Sequence, residues 1–175
     1  MRERYVVDTN VLIAASAGDP HRNREIDATP ADVNLREIVW NWLTEFELSP
    51  AKMVLDFEGK IADEYEKNLN FNDYGIQVLM KKYSTCAMEH VNVSYDINGD
   101  GELPDTLIGA IHDGADRKMV AAALASHASH GDGCVAFAGD TDWHDWEEIL
   151  TQHGIIIEPV IEAWSRQKHA EKQQR

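Results

Sequence analysis

The feature that most constrains this chain is the place where its first apolar run stops. Tyr5-Val6-Val7 has the β-branched and aromatic character of a strand, ends in Asp8-Thr9-Asn10, and passes directly into the helix-like run Val11-Leu12-Ile13-Ala14-Ala15. A strand that hands over to a helix at a carboxylate opens a βα unit. In open α/β sheets ligands bind in the crevice beyond the carboxyl ends of the strands, so such a scaffold carries Asp8 to the edge where chemistry is expected.

The same alternation recurs along the chain. Met53-Val54-Leu55 is a short β-like run ending in Asp56, and Ile61, Tyr65 and Leu69, with Ala62 beside them, mark the helix that follows. Cys134-Val135-Ala136-Phe137-Ala138, bounded by Gly133 and Gly139, is an unbroken apolar run of strand length and reads as a strand buried on both faces. Gly139-Asp140-Thr141-Asp142-Trp143 then opens a helix through Leu150, Gly154 ends it, and Ile155-Ile156-Ile157 makes one more strand. Leu35, Ile38, Val39, Trp42, Leu43 and Phe46 recur at helical spacing, with Asn34 and Glu37 placed as a capping box and Pro50 as a stop. A further helix is predicted with its cap at Asn70 and with Phe71, Tyr74, Val78 and Leu79 inward, and Asp116 begins an Ala-rich helix able to pack closely on a sheet. The expected fold class is α/β, a parallel sheet covered on both faces.

Three segments do not follow this rhythm. Ala17 to Asn34, punctuated by Gly18, Pro20 and Pro30, reads as a long surface loop with a small basic group, His21, Arg22 and Arg24. Val91 to Tyr95 alternates as a strand or extended arm and leads into Asp96-Ile97-Asn98-Gly99-Asp100-Gly101-Glu102, which has the opening of an EF-hand loop but Leu107 at the twelfth place and Pro104 inside, so an Asn/Asp/Gly turn is expected. Residues 166–175 are charged and Gln-rich, and are expected to fray as a tail beyond a single domain spanning residues 1–165.

Composition narrows the function classes. No apolar stretch approaches the ~20 residues that span a bilayer, and the start is too short in apolar residues for a signal peptide, which makes a cytoplasmic protein the expectation. Cys86 and Cys134 are the only cysteines, too few for a disulfide framework, and His127 and His130 lack a second pair at zinc-site spacing. The net charge of −15 is awkward for a nucleic-acid binder, whose phosphate contacts come from Lys and Arg. Acidity on this scale serves solubility or is concentrated at cations.

A carboxylate set stands where cations would be useful. Asp8, Asp116 and Asp140 each fall at a predicted helix start, where one Asp alone reads as a helix cap. Two of them follow strands, and a parallel sheet brings all strand carboxyl ends to one edge. Asp142 lies close to Asp140 in sequence, and Glu64 borders the apolar stripe of its helix; Asp113, Asp56 and Asp63 are nearby alternatives. Carboxylates ~4 Å apart repel by roughly 4 kcal/mol per pair at an effective dielectric of about 20, so the cluster needs protons or cations. Oxygen donors without Cys or His favour Mg²⁺ or Mn²⁺.

At these positions the chain resembles the PIN-domain nucleases, the superfamily that includes the toxin ribonucleases of prokaryotic toxin–antitoxin modules. The matching pieces are Val7-Asp8-Thr9-Asn10-Val11-Leu12, Glu64-Tyr65, Asp116-Arg117-Lys118 with its Ala-rich helix, and Gly139-Asp140-Thr141-Asp142-Trp143. The resemblance implies a three-layer α/β/α fold with a five-stranded parallel sheet. It also implies metal-dependent endonuclease action on RNA by an acidic cluster of Asp8, Glu64, Asp116 and Asp140, with Asp142 either as a further ligand or as a group that supports the ligands. Asn10 and Thr141 would support the cluster, and Arg22, Arg24, Arg117 and Lys118 would be available to substrate. An antitoxin-like protein and a second copy are the partners it implies. Two readings from other classes stand beside it: a catalytically silent RNA-binding or scaffold module, and a small-molecule phosphohydrolase. Asp8-Thr9-Asn10 lacks the second Asp that haloacid-dehalogenase phosphatases use two residues on.

Overall fold

The computed structural model describes residues 1–174; Arg175, the end of the expected tail, lies outside the described residues. Five strands form one all-parallel sheet among them: β1 (Arg4–Val7), β2 (Lys52–Asp56), β3 (Met88–Val91), β4 (Gly133–Phe137) and β5 (Ile155–Pro159), in the order β3-β2-β1-β4-β5. The helices are α1 (Thr9–Gly18), α2 (Val33–Leu48), α3 (Lys60–Asn68), α4 (Tyr74–Ser84), the single turn α5 (Asp105–Ile108), α6 (Gly114–His130), α7 (Trp143–Gln152) and α8 (Glu162–Gln173). The fold is a three-layer α/β/α arrangement. α1, α2 and α4 pack together, while α6 crosses the sheet and touches all its strands.

Strand order decides where a ligand can bind. From β1 the chain runs outward through β2 to β3, then returns by α6 to the other side of β1 and continues to β5. The order therefore reverses between β1 and β4, paired in register through Val6 with Val135 and Val7 with Ala136. Helices cannot cover the sheet edge at such a reversal, which leaves a crevice at the strand carboxyl ends. Tyr5, Val6, Val7 and all of β4 are buried, as strands between two helical layers must be. Full burial of each large aliphatic or aromatic side chain contributes about 1.5–3 kcal/mol, so this central pair is held in place by both helical layers.

Boundaries depart from expectation where local polar chemistry competes with periodicity. α2 is capped not by Asn34 but by Asp32, whose side chain accepts the Asn34 and Leu35 amides. α4 starts at Tyr74 after the cap Asp73, which leaves Phe71 exposed rather than inward. α6 begins at Gly114 with Asp113 as its cap, so Asp116 sits inside the first turn. The third strand is Met88–Val91; the residues after it are an arm closed by a bridge between Tyr95 and Gly101, with Asp96 accepting the Asn98 and Asp100 amides. Residues 166–173, expected to fray, are the last turns of α8, tied to α7 by Arg166–Glu147 (3.1 Å) and His169–Asp145 (2.7 Å). Among the described residues no helix is long and apolar enough to cross a membrane.

Candidate active site

Asp8 ends β1 at the reversal. Its backbone N–H donates to Ala136 O on β4 at 2.8 Å, so the sheet itself fixes where its side chain emerges. One carboxylate oxygen caps α1 by accepting the Asn10 N–H (3.2 Å), and the other accepts the indole N–H of Trp143 (3.2 Å), the first residue of α7. Asp8 is 4% exposed. Asp140 lies in the turn between β4 and α7 and accepts the Asp142 N–H at 2.8 Å.

Glu64 reaches the same edge from α3. The Tyr65 hydroxyl, on the next residue, donates to Val7 O at 2.5 Å and pins α3 to the end of β1. One Glu64 oxygen accepts the Thr9 hydroxyl at 2.5 Å, and the other is in direct contact with the Lys118 ammonium. Asp56, a sequence-level alternative to Glu64, is occupied elsewhere, accepting the Lys60 and Ile61 amides at the start of α3.

Asp116 completes the group from the first turn of α6. The residue is 8% exposed, and its carboxylate, which has no hydrogen-bond or ion-pair partner among the described residues, keeps its oxygens in reach of solvent. Burial first, and then the charges of Asp8, Asp140, Asp113 and Glu64, push its carboxyl up to about 8. Burial likewise pushes Asp8 up to about 7, with Asp140 and Glu64 adding to the rise and the Asn10 and Trp143 N–H groups opposing it. Asp140 is raised by burial and by the charges of Asp142 and Asp113, against the Asp142 amide and the charge of Lys172. The charges of Glu64 and Asp140 thus act on both Asp8 and Asp116 at this sheet edge.

The donors are all oxygens, and burial together with neighbouring negative charge makes two of the carboxylates ionise late, which fits a hard divalent cation. Among the described residues no three His, Cys, Asp or Glu side chains form a ready-made metal cage. Asp142 stands at the rim, where Lys172 of α8 contacts it. Thr141 contributes its carbonyl to the His144 N–H (3.1 Å), and Asn10 contributes its backbone N–H to Asp8.

Both irregular segments border this edge. The loop between α1 and α2 passes so close to Gly139 that a Cβ there would lie 2.5 Å from Thr29 O. Gly101 of the arm packs on the α6 backbone in the same way, where a Cβ would be 2.8 Å from Lys118 Cα. A groove of about 540 Å³ lined by Ala110, His112, Asp113, Asp142, Asp145 and Trp146 opens beside the rim.

Of the cations assigned to substrate, Arg24 is held by Asp73 through two bonds of 3.0 and 2.5 Å, Arg22 lies near Glu25 (3.6 Å), and Arg117 donates to Ile111 O (2.8 Å). Lys118 is inside the cluster, not beside it. Thr9, Trp143 and Lys172 were not singled out from sequence. Thr9 adjoins Asp8, a usable signal, but the Trp143–Asp8 contact spans 135 positions and leaves no local trace. No protein-family model, curated protein or solved structure matches this chain.

Proposed function

We propose that this protein is a metal-dependent endoribonuclease, in which Asp8, Glu64, Asp116 and Asp140, with Asp142 at the rim, hold Mg²⁺ or Mn²⁺ against an RNA phosphodiester. The observation that carries the reading is Asp116, a carboxylate with no protein donor among the described residues, on which the charges of Asp8, Asp140, Asp113 and Glu64 act at the reversal of strand order. Negative charges gathered in this way call for a positive one, and a carboxylate that serves only as a cap would have its amides. The cation would supply an activated water and stabilise the leaving oxygen. The chain's own residues do the positioning: Asn10 and Trp143 orient Asp8, and Thr9 orients Glu64. Asp8 and Asp116 keep their protons to higher pH than ordinary carboxylates, and positive charge at this edge would favour their ionised forms. RNA as the substrate rests on the resemblance of the four acidic motifs, and the same reading makes an antitoxin-like protein and a second copy the partners to look for.

A fluorescent RNA panel assayed with Mg²⁺, with Mn²⁺ and with EDTA tests this. Cleavage is expected with either cation, abolished by EDTA, and at least ~10²-fold slower in Asp116→Asn, the scale of removing an electrostatic group from a reacting centre. RNA left intact under every cation, or cleavage that EDTA does not stop, contradicts it.

A further inference from the structure

Resting on the nuclease reading, we propose that Lys118 is the site's own counter-cation: it neutralises Glu64 until a divalent cation takes that carboxylate, then swings to hold the RNA phosphodiester. The ammonium contacts one Glu64 oxygen, and both side chains are largely buried, at 16% and 17% exposure. An ammonium there competes with an incoming cation for a carboxylate that also acts on Asp8 and Asp116. A doubly charged ion wins such a contest against a single charge on a flexible stem.

Where the released ammonium can go follows from what holds it. Gly101 packs against the Lys118 backbone, so any movement of the ammonium falls to the rotatable bonds of its four-carbon stem. The other cations near the rim have their own duties, Arg117 with Ile111 O and Lys172 with Asp142. In a chain of net charge −15, a phosphodiester entering this edge has few positive groups to meet. Lys118, two residues from Asp116 on α6, contacts Glu64 directly, whereas Lys172 reaches the rim from α8 through Asp142.

The test titrates Mn²⁺ alone into wild type, Lys118→Met, Lys118→Arg and Lys67→Met by calorimetry, and assays RNA cleavage at saturating Mn²⁺. Lys67 is an exposed residue of α3 without an ion pair among the described residues, and controls for a general change of charge. Lys118→Met is expected to bind Mn²⁺ about 10-fold tighter, a competitor worth roughly 1.4 kcal/mol having been removed, and yet to cleave at least ~10²-fold more slowly. Lys118→Arg, which keeps the charge and the fold should Met perturb either, is expected within about 3-fold of wild type in Mn²⁺ affinity and within about 10-fold in cleavage. Lys67→Met is expected to match wild type. Unchanged Mn²⁺ affinity in Lys118→Met, or an equal rise in Lys67→Met, overturns the counter-cation. Tighter Mn²⁺ binding with undiminished cleavage overturns the phosphate contact. Wild type that binds Mn²⁺ but cleaves no RNA overturns the nuclease reading, and leaves the counter-cation standing on its affinity result.

Discussion

Asp8 and Asp116 make the protein's stability depend on pH in a direction opposite to that of most carboxylates. Their carboxyls, ordinarily near 3.8, are pushed up to about 7 and about 8, so between those limits the folded state keeps protons that the unfolded chain has released. The unfolded state binds fewer protons throughout that window, so stability falls as pH rises, by about 1.4 kcal/mol per pH unit for each proton retained. Metal-free protein should therefore be more stable near pH 5 than near pH 8 with respect to this site. Asp8→Asn removes one of the two contributions. Its stability relative to wild type, from chemical denaturation at the two pH values, should improve as pH rises, while RNA cleavage is lost. Parallel pH profiles for the two proteins would mean that Asp8 is a helix cap and little more. The position of this residue at the sheet edge was legible in the sequence, because a strand followed directly by Asp and a helix is a local signal. The Asp8–Trp143 bond was not, and neither was the Lys118–Glu64 pair, since both depend on how distant segments come together.

The elements that carry the site are joined by a few contacts that single substitutions can break. Tyr65→Phe deletes the hydroxyl that ties α3 to Val7 O and leaves a buried carbonyl without its donor, which should cost about 1–3 kcal/mol and weaken Mn²⁺ binding through a less fixed Glu64. Calorimetry on the folded variant separates the two effects; unchanged affinity would show that α3 is positioned by packing alone. Gly139→Ala would force a methyl to within 2.5 Å of Thr29 O, so the loop between α1 and α2 must lift, with a loss of about 1–3 kcal/mol and faster proteolysis within residues 19–32. An unaltered digestion pattern would show that the loop yields without leaving the sheet edge. Which elements the sequence discloses follows from what holds them. β1, β4 and β5 are apolar runs and were read nearly in place. β3 reads Met-Glu-His-Val, with Glu89 paired to Arg4 and Lys52, so its polar edge-strand pattern hid it behind the alternating residues that follow. α8 is held by ion pairs to α7 more than by an apolar stripe, and a charged, Gln-rich segment of that kind looks like a tail until its partners are in view.

At the scale of the whole molecule, the fold concentrates negative charge at one edge of a chain that already carries −15, and the account stands on what that edge does with a cation. A cation that binds only the native state stabilises it by RT ln(1 + [L]/Kd), about 2.7 kcal/mol at one hundred times Kd. For a domain of this length that is about 5–10 °C in Tm, and the gain should be much smaller in Asp8→Asn and absent with Ca²⁺-free, Mg²⁺-free buffer containing only NaCl at equal ionic strength. The most direct measurement is calorimetric titration of Mn²⁺ near pH 7 in two buffers of different ionisation enthalpy, which counts protons expelled as the cation binds. Carboxylates held protonated to about 7 and about 8 must give those protons up to become ligands, so binding should release roughly one proton or more near pH 7, fewer near pH 9, and fewer near pH 7 in Asp116→Asn than in wild type. Absence of Mn²⁺ binding, or binding with no proton release at either pH, would contradict the assignment of these carboxylates as the cation site.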